Sequence, residues 1–173
     1  MLESGCVVEQ LNRPFCVNPL SVSVNKNGKE RLILDLRRVN QFVEKRKIKF
    51  EGSKEALNYA KNGKFMVKFD LRSRYHHVDI NNKFLKYLCF SWDGQVKYFV
   101  FSVLPFGLTF APFVFTKLMR EIVRYWRTLT FLVIIYLNDG WCRHEKNSCQ
   151  KCSKSIRKDL VSAGFIVNDE KSV

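Results

Sequence analysis

Two aspartates in this sequence follow apolar stretches in a pattern that could create a metal site. Asp70 ends the alternating segment of residues 64–70, and Asp139 lies in an Asn-Asp-Gly turn after the apolar residues 130–137. If the two segments pair as neighbouring strands, both carboxylates lie at one edge of a sheet. Such oxygen ligands suit Mg²⁺, which usually takes one or two protein carboxylates and completes its octahedron with water and substrate phosphate. The alternative is that each aspartate only supports a turn.

Basic residues dominate the charge of the chain. The 30 Lys and Arg residues outnumber the 16 Asp and Glu residues and leave a formal net charge of +14. Such an excess attracts a polyanion and releases its counterions on binding, so nucleic acid is the leading candidate partner. An anionic membrane surface would satisfy the same charge, but no long segment pairs a basic face with an apolar face. A basic structural domain is the remaining alternative.

Neither membrane insertion nor secretion is indicated. The longest apolar run, residues 131–137, is far shorter than the roughly 20 residues of a membrane helix. The N-terminal residues lack the basic leader and the apolar stretch of a secretory signal. We therefore expect an intracellular protein, in the cytoplasm or the nucleus, with no membrane partner.

The six cysteines are expected to be reduced thiols, because intracellular compartments keep them so. Four side chains, Cys142, His144, Cys149 and Cys152, form a C-x-H-x₄-C-x₂-C string that could bind zinc. The spacing is tight, since the first two would lie in a strand and the last two on a helix. Buried thiols are therefore the preferred interpretation.

Periodicity predicts alternating strands and helices. The first half of the chain is predicted to contain a hairpin of residues 20–24 and 31–36 around the basic loop 25–29, a helix from Ser53 to about Lys61 that Gly63 ends, and a strand at 64–70. A second hairpin, of residues 84–92 and 95–103 around Asp93-Gly94, is followed by the turn 105–107 and a helix. The remainder is predicted to form a strand at 130–137, the turn 138–140, a helix at about 148–163 followed by Gly164, and a strand at 165–167. One face of the helix after residue 107 is predicted to carry Val114, Leu118, Ile122 and Trp126. This order predicts an α+β fold.

Five segments resemble, in order and spacing, the signature motifs of reverse transcriptases. They are K-N-G-K-E-R-L-I-L-D-L-R-R-V-N at residues 26–40, F-D-L-R-S-R-Y-H-H-V at 69–78, V-L-P-F-G-L-T-F-A-P at 103–112, Y-L-N-D at 136–139 and G-F-I-V-N-D-E-K-S at 164–172. The resemblance covers nearly the whole chain after about Asn18. It is strongest to the enzymes of retrotransposons, because retroviral enzymes usually have Gln at the position of Phe106. His76 and His77 are interpreted as part of the second motif and not as ligands.

The resemblance implies an RNA-directed DNA polymerase with a right-hand fold. Its palm would be an antiparallel sheet with helices packed on one face, joined to partial fingers. We expect one domain over residues 1–173, with about 18–62 mainly fingers and about 63–173 mainly palm, and with thumb and RNase H absent. The substrates implied are deoxynucleoside triphosphates and a primer on an RNA or DNA template.

In the family, Asp70 and the acidic pair at residues 138–139 hold two Mg²⁺ ions, for which Mn²⁺ can substitute. The ions activate the primer 3′-hydroxyl and clamp the incoming triphosphate. Lys26 and Arg31 match the basic residues that grip the triphosphate, with Lys29 as the other candidate lysine; the alternative is a solvated basic turn. Lys171 matches the family's late lysine near the leaving pyrophosphate.

Three further residues match positions that contact the nucleotide in the family. Tyr75 matches the bulky residue that resembles a steric gate against the ribose 2′-hydroxyl, which implies selection for deoxynucleotides. Phe106 and Gly107 match the segment under the nascent base pair, where glycine lets the backbone approach substrate closely. The alternative for these two is an ordinary turn between a strand and a helix.

Two residues depart from the family pattern. Asn138 stands where the family has the first of two consecutive aspartates, the one expected to contact both metals. A carboxamide is nearly isosteric but neutral, and a loss of roughly 4 kcal/mol of metal stabilisation would slow the reaction on the order of a thousandfold. Arg74 stands where the family usually has a small residue, and it either grips phosphate or crowds the nucleotide. The alternative function is a catalytically inactive nucleic-acid-binding module derived from a reverse transcriptase.

Overall fold

The computed structural model describes residues 1–24, 28, 30–59, 65–92 and 97–172. Contacts between Cα atoms group the chain into two units, each made from two stretches of sequence. Unit 1 comprises Met1–Arg46 and Tyr75–Ala111, and unit 2 comprises Lys47–Arg74 and Pro112–Val173. The expected single domain, with fingers up to about residue 62 and palm thereafter, remains a prediction.

Nine strands and five helices lie within the described residues. The strands are β1 (Val7–Gln10), β2 (Val17–Asn18), β3 (Leu20–Val24), β4 (Glu30–Leu34), β5 (Phe65–Asp70), β6 (Cys89–Ser91), β7 (Tyr98–Phe101), β8 (Leu132–Tyr136) and β9 (Asp139–His144). The helices are α1 (Arg37–Asn40), α2 (Ser53–Tyr59), α3 (Asn82–Leu85), α4 (Ala111–Thr128) and α5 (Lys146–Ser162), with short 3-10 turns at Arg74–His77 and Asp169–Lys171.

Unit 1 combines a four-stranded sheet with a separate hairpin. The sheet has the order β1-β7-β6-β2, and only the β2–β6 pair is parallel. The hairpin of β3 and β4 is antiparallel, as predicted, with Leu20 opposite Leu34. One apolar cluster joins these elements through buried side chains of β1, β4, β6 and β7, among them Val7, Leu34, Phe90 and Phe101. Burial of such side chains is the main source of stability in a unit of this size.

Unit 2 is built on an antiparallel sheet with the order β5-β9-β8. Side chains alternate between the two faces of a strand. Phe69 of β5 belongs to the face that the helices cover, because its ring meets the fully buried Trp126 of α4 edge to face at 5.8 Å. Asp70 therefore points to the opposite face. The predicted α+β class is confirmed.

Helices α4 and α5 supply the apolar layer of unit 2. Within unit 2, the buried side chains of α4 are Phe115, Met119, Val123 and Trp126, and those of α5 are Cys149, Cys152, Ile156 and Leu160. The two helices are linked where the Trp126 indole donates a hydrogen bond of 2.9 Å to the Asp159 carboxylate. Among the residues described, no helix combines the length and the apolar character needed to cross a bilayer.

The predicted buried face of α4 was wrong: the row of side chains that is buried in the structure begins one residue later in the sequence than the predicted row. Leu118 is 40% exposed, whereas Phe115 and Met119 are buried. Residues spaced by four advance about 400° around a helix, so a row of this spacing rotates by about 40° per step. The row through Val114 and Leu118 therefore lies beside the buried row and joins it only near Trp126.

One predicted strand was too long and another was wrong. The predicted hairpin of residues 84–92 and 95–103 forms as the antiparallel pair of β6 and β7. Its first residues instead belong to helix α3, because the Asn81 side chain accepts a hydrogen bond of 3.1 Å from the Lys83 N–H and caps that turn. Residues 165–167 make only an isolated bridge between Val167 and Leu71. Strands β1 and β2 were not predicted, since they are short and their pairing partners are distant in sequence.

The turn between β8 and β9 was misplaced. Tyr136 pairs with Asp139, so the two-residue loop is Leu137-Asn138 and Asp139 is the first residue of β9. Strand β5 pairs with β9 and not with β8. Gly164 follows α5 at a φ of +84°, as expected for a helix end. The predicted turns at residues 25–29 and 93–94, and the predicted helix end near Lys61 and Gly63, fall outside the described residues except for Gly28.

We predict that Gly140→Ala destabilises the chain by about 1–3 kcal/mol. A methyl group at this position would overlap three ring carbons of Phe69, which is buried and held by Trp126. Urea unfolding should report the loss. Gly52→Ala is the control, because its nearest neighbour is a Glu55 side-chain oxygen at 3.7 Å. A midpoint for Gly140→Ala equal to that of the parent chain would contradict the packing of Phe69 over Gly140.

Candidate active site

Asp70 and Asp139 face each other across two paired strands of unit 2. They form the last register pair of β5 and β9, so their carboxylates share one face of the sheet. Asp70 is 3% exposed, whereas Asp139 is exposed. The expectation that the fold brings the two aspartates together is confirmed, although through β9 instead of β8.

Both oxygens of the Asp70 carboxylate accept hydrogen bonds from side-chain amides. Asn138 donates to Oδ1, and Asn168 donates to Oδ2 at 2.9 Å. A buried carboxylate needs such donors, because burial without partners strongly disfavours its charge. The amide of Asn138, in the position where the motif resemblance expects an aspartate, therefore serves as a donor to Asp70.

The amide oxygens of the same two residues lack donors. Asn138 Oδ1 and Asn168 Oδ1 are buried and have no hydrogen-bond partner among the described residues. The two carboxylates are oxygen donors of the kind that Mg²⁺ and Mn²⁺ prefer, and each side chain that contacts Asp70 also carries an amide oxygen without a partner among the described residues. The residues present therefore fit a hard divalent cation.

The pKa of the Asp139 carboxyl is raised above its usual range. Although Asp139 is exposed as a residue, partial burial of its carboxyl is the largest cause. The negative charge of Asp70 and a hydrogen bond that protonated Asp139 would donate to Asp70 come next, whereas the charges of Lys68 and Arg74 act in the opposite direction. Two carboxylates that close together disfavour each other's ionisation. A cation between them would relieve the repulsion, which is a physical reason for this site to attract metal.

Tyr75, Phe106 and Gly107, the motif residues expected to contact the sugar and base, lie in unit 1. Tyr75 is buried and its ring centroid lies 5.0 Å from that of Phe106, which is 42% exposed. Gly107 has a φ of +96°, and a Cβ there would lie 3.0 Å from the Leu34 carbonyl oxygen, so glycine is required in this turn. The Asn40 side chain fastens the turn: its amide donates to Gly107 O at 2.8 Å and its oxygen accepts from Thr109 N at 2.9 Å.

The structure places only some of the basic residues that are expected to bind the triphosphate. Lys26 and the alternative Lys29 lie outside the described residues, and Arg31 is described only as part of β4. Arg74 is in the 3-10 turn after β5, and its positive charge opposes the rise in the pKa of Asp139. Lys171 is exposed in the last 3-10 turn. Their roles in binding nucleotide remain predictions.

The cysteine string lies in the core of unit 2. Cys142, Cys149 and Cys152 are buried free thiols, as expected, and burial raises the pKa of each one. His144 Nδ1 accepts a hydrogen bond of 3.0 Å from Glu145 N–H. Among the described residues, no group of three or more His, Cys, Asp or Glu side chains is arranged to hold a metal ion.

Sequence reasoning missed three residues that support these motifs. Asn40 holds the turn at Gly107. Asn168 holds Asp70, and the Ser172 hydroxyl accepts from Asp70 N–H at 3.2 Å while it donates to Asn168 O at 2.6 Å. All three lie inside segments that resemble family motifs, and this location was the only feature of the sequence that could have indicated their role.

A family model decides the classification of the chain. The model of the reverse transcriptase (RNA-dependent DNA polymerase) family matches residues 23–173. The chain belongs to the reverse transcriptase family.

Similar proteins come from viruses and transposons. The chain is 25% identical over 181 residues to a putative enzymatic polyprotein of Cassava vein mosaic virus, which covers 99% of the chain and 27% of the viral protein. It is 24% identical over 142 residues to the retrovirus-related Pol polyprotein from transposon 297 of Drosophila melanogaster, which covers 80% of the chain and 13% of that protein. The chain thus spans about a quarter or less of the length of these relatives.

Solved reverse transcriptases have the same fold. A foamy viral protease-reverse transcriptase in complex with double-stranded DNA matches 99% of the chain and 29% of its own length, with a TM-score of 0.84 and 25% identity. The corresponding protein in complex with an RNA/DNA hybrid matches with a TM-score of 0.83 at 24% identity, over 99% of the chain and 22% of its own length. These matches support the right-hand polymerase architecture of this reverse transcriptase chain.

We predict that acid destabilises this reverse transcriptase chain partly through His76. Its pKa is lowered by burial first and by the charges of His77 and the N-terminus next. The ring packs against Phe106 and Phe101 at 5.4 and 6.3 Å. Since the unfolded chain binds this proton more tightly, the contribution of His76 is present above about pH 6.5 and is lost as pH falls.

His76→Gln should therefore show a smaller drop in the urea midpoint than the parent chain between about pH 7.5 and about pH 5.5. His144→Gln is the matched control, because His144 is not among the groups that shift the pKa of His76. An equal drop in parent and His76→Gln proteins would show that His76 does not carry the acid sensitivity.

Proposed function

We propose that this chain carries the nucleotidyl-transfer centre of a reverse transcriptase, which extends a primer with deoxynucleoside triphosphates on an RNA or DNA template. The observation that carries the proposal is the register pair of Asp70 and Asp139, whose carboxylates share one face of the unit 2 sheet. Membership of the family supports the reaction class. The setting proposed is intracellular, in the cytoplasm or the nucleus.

Asp70 and Asp139 would hold the divalent cations, Mg²⁺ or Mn²⁺ in its place. When bound, two such ions activate the attacking hydroxyl and neutralise charge on the phosphates during in-line transfer. Asp70 is suited to a fixed ligand position, because amides hold both of its oxygens. Asp139 is exposed and lies at the open side of the pair. Its raised pKa would fall on metal binding, since a cation favours the ionised form.

The nucleotide-binding assignments extend this proposal. Lys26 and Arg31 would grip the triphosphate, for which the planar fork of Arg is well suited. Lys171 would lie near the leaving pyrophosphate, and Arg74 would contact phosphate or limit the space for it.

Aromatic and backbone groups would act on the sugar and base. Tyr75 would exclude the ribose 2′-hydroxyl as a steric gate. Phe106 and Gly107 would support the nascent base pair, a role to which the exposed ring and the glycine turn are suited.

Asn138 is the residue that impairs the proposed reaction. Its amide offers at most a neutral carbonyl oxygen, while its NH₂ group donates to Asp70. The centre therefore has one negative charge fewer than the family pattern. The missing charge weakens the hold on a divalent cation that must stabilise the transition state.

A catalytically inactive nucleic-acid-binding module is the second candidate function. The net charge of +14 and the Asn138 substitution favour it, because charge alone supports binding to a polyanion. The two candidates predict the same affinity for duplex and differ in the response to restoring the carboxylate.

We predict that Asn138→Asp raises nucleotide incorporation by about a thousandfold, because roughly 4 kcal/mol of charge stabilisation returns to the transition state. Affinity for duplex should change less than about twofold, since it comes from Lys and Arg residues elsewhere. Single-turnover primer extension with Mg²⁺ and with Mn²⁺, on RNA and DNA templates, measures the first quantity. A binding titration measures the second.

Asn12→Asp is the matched control, because it adds the same charge at an exposed residue in the other unit. The companion variant Asn138→Asp with Arg74→Gly tests whether the long side chain at residue 74 blocks the nucleotide. If neither variant incorporates nucleotide while both bind duplex, the polymerase proposal is wrong and the binding-module function replaces it.

Binding to a primer-template duplex should weaken steeply with salt. The excess of Lys and Arg predicts release of counterions, and several phosphate contacts would lower affinity at least about tenfold between about 50 and about 200 mM salt. Fluorescence anisotropy with a labelled duplex measures this slope. An association constant that stays flat over that range would exclude phosphate contacts as the source of affinity.

A further inference from the structure

The segment of residues 166–172 lies along the free edge of β5 beside Asp70. Arg72 N–H donates to Ile166 O at 2.9 Å, and Asn168 N–H donates to Asp70 O at 2.8 Å. Asp70 N–H in turn donates to the Ser172 hydroxyl at 3.2 Å. Strand β9 occupies the other edge of β5. The backbone N–H and carbonyl of Asp70 are therefore both engaged by this segment, at the edge of β5 opposite β9.

The Asn168 side chain adds a contact to the carboxylate itself. Its amide donates to Asp70 Oδ2 at 2.9 Å, and Asn138 donates to Oδ1 from the other side. An ionised carboxylate has about four acceptor positions, so one donor on each oxygen fixes the plane of the group and leaves positions open. The NH₂ group must be the part of each amide that faces Asp70, because an amide oxygen there would repel the carboxylate.

The two amides that contact Asp70 are not equivalent. Asn138 belongs to the tight β8–β9 turn and occupies the place of an acidic residue in the family pattern. Asn168 approaches from the opposite edge of β5, and its backbone N–H and carbonyl are both engaged, by Asp70 O and by the Ser172 hydroxyl. Its side chain therefore starts from a fixed backbone and is suited to hold Asp70 in one orientation.

We propose that Asn168 is a positioning residue of the divalent-cation site, whose amide orients the Asp70 carboxylate so that its remaining acceptor positions face the cation. The inference rests on the proposed function of Asp70 as a metal ligand. Residues that orient a ligand through a hydrogen bond typically raise metal affinity by about 10–100-fold. The two asparagines on Asp70 thus have opposite effects: Asn138 weakens the site and Asn168 strengthens it.

The experiment measures Mn²⁺ affinity of the full chain by electron paramagnetic resonance, without nucleotide or primer. Asn168→Leu, which is nearly isosteric but cannot donate, should weaken Mn²⁺ binding by about 10–100-fold in the Asn138→Asp protein. Asn168→Gln, which keeps the donor on a longer side chain, should recover part of that loss. A purely structural role for Asn168 would give Leu and Gln the same effect.

Asp169→Asn is the matched control. Asp169 lies in the same segment and pairs with Arg157 on the surface, but it makes no contact with Asp70 among those described. If loosening of the segment were the cause, this variant would share the loss of affinity. Unchanged Mn²⁺ affinity in Asn168→Leu, or an equal loss in Asp169→Asn, would overturn the proposal.

If Asn168→Leu does not fold, a second measurement tests the proposal on the Asn138→Asp protein with Asn168 intact. Mg²⁺ titration should shift the NMR signal of the Asn168 side-chain amide, because its acceptor Asp70 becomes a metal ligand; an unmoved signal at saturating Mg²⁺ would refute the proposal. This outcome differs from failure of the polymerase proposal alone. In that case the Asn138→Asp protein would incorporate no nucleotide, but its Mn²⁺ affinity would still depend on Asn168. Absence of any Mn²⁺ binding would overturn both.

Discussion

The antiparallel pairing of β5 with β9 decides which side chains meet at the acidic end of the unit 2 sheet. Asp70 lies opposite Asp139 only in this register, because a shift by one residue would turn every side chain of one strand to the other face. Packing on the helix-covered face holds the register: the Phe69 ring lies against Gly140, where no larger residue fits, and meets Trp126. The apolar core of unit 2 therefore sets the position of carboxylates that point away from it.

Burial of Asp70 sets the electrostatic requirements of the site. A carboxylate that is 3% exposed needs donors, and here two side-chain amides provide them. In the proposed mechanism this arrangement has a functional consequence. An aspartate at residue 138 would repel Asp70 in the absence of metal and bind metal strongly, whereas Asn138 satisfies Asp70 without metal and attracts a cation less. In that mechanism Asn138 would lower metal affinity and stabilise the metal-free protein, a trade that is common at active sites.

Much of the fold could be predicted because its signals are local. The β3–β4 hairpin, strand β5 and the end of α5 at Gly164 follow from alternation and glycine placement within a few residues. Helix α3 was missed because Phe84 and Leu85 extend the apolar run of β6, and only the cap by Asn81 shows where the helix begins.

The sequence by itself determined the chemical inventory: Asp70, Asp139, the neutral Asn138 between the paired strands, the basic charge, and the motif order that identifies the family. Only the tertiary structure decided that β9 lies between β5 and β8, which row of α4 is buried, and that Asn168 is the second amide on Asp70. Asn168 is 98 positions from Asp70 in the sequence. Contacts of that range leave no periodic pattern in a single chain, because they arise from how whole elements pack and not from the conformational preferences of neighbouring residues.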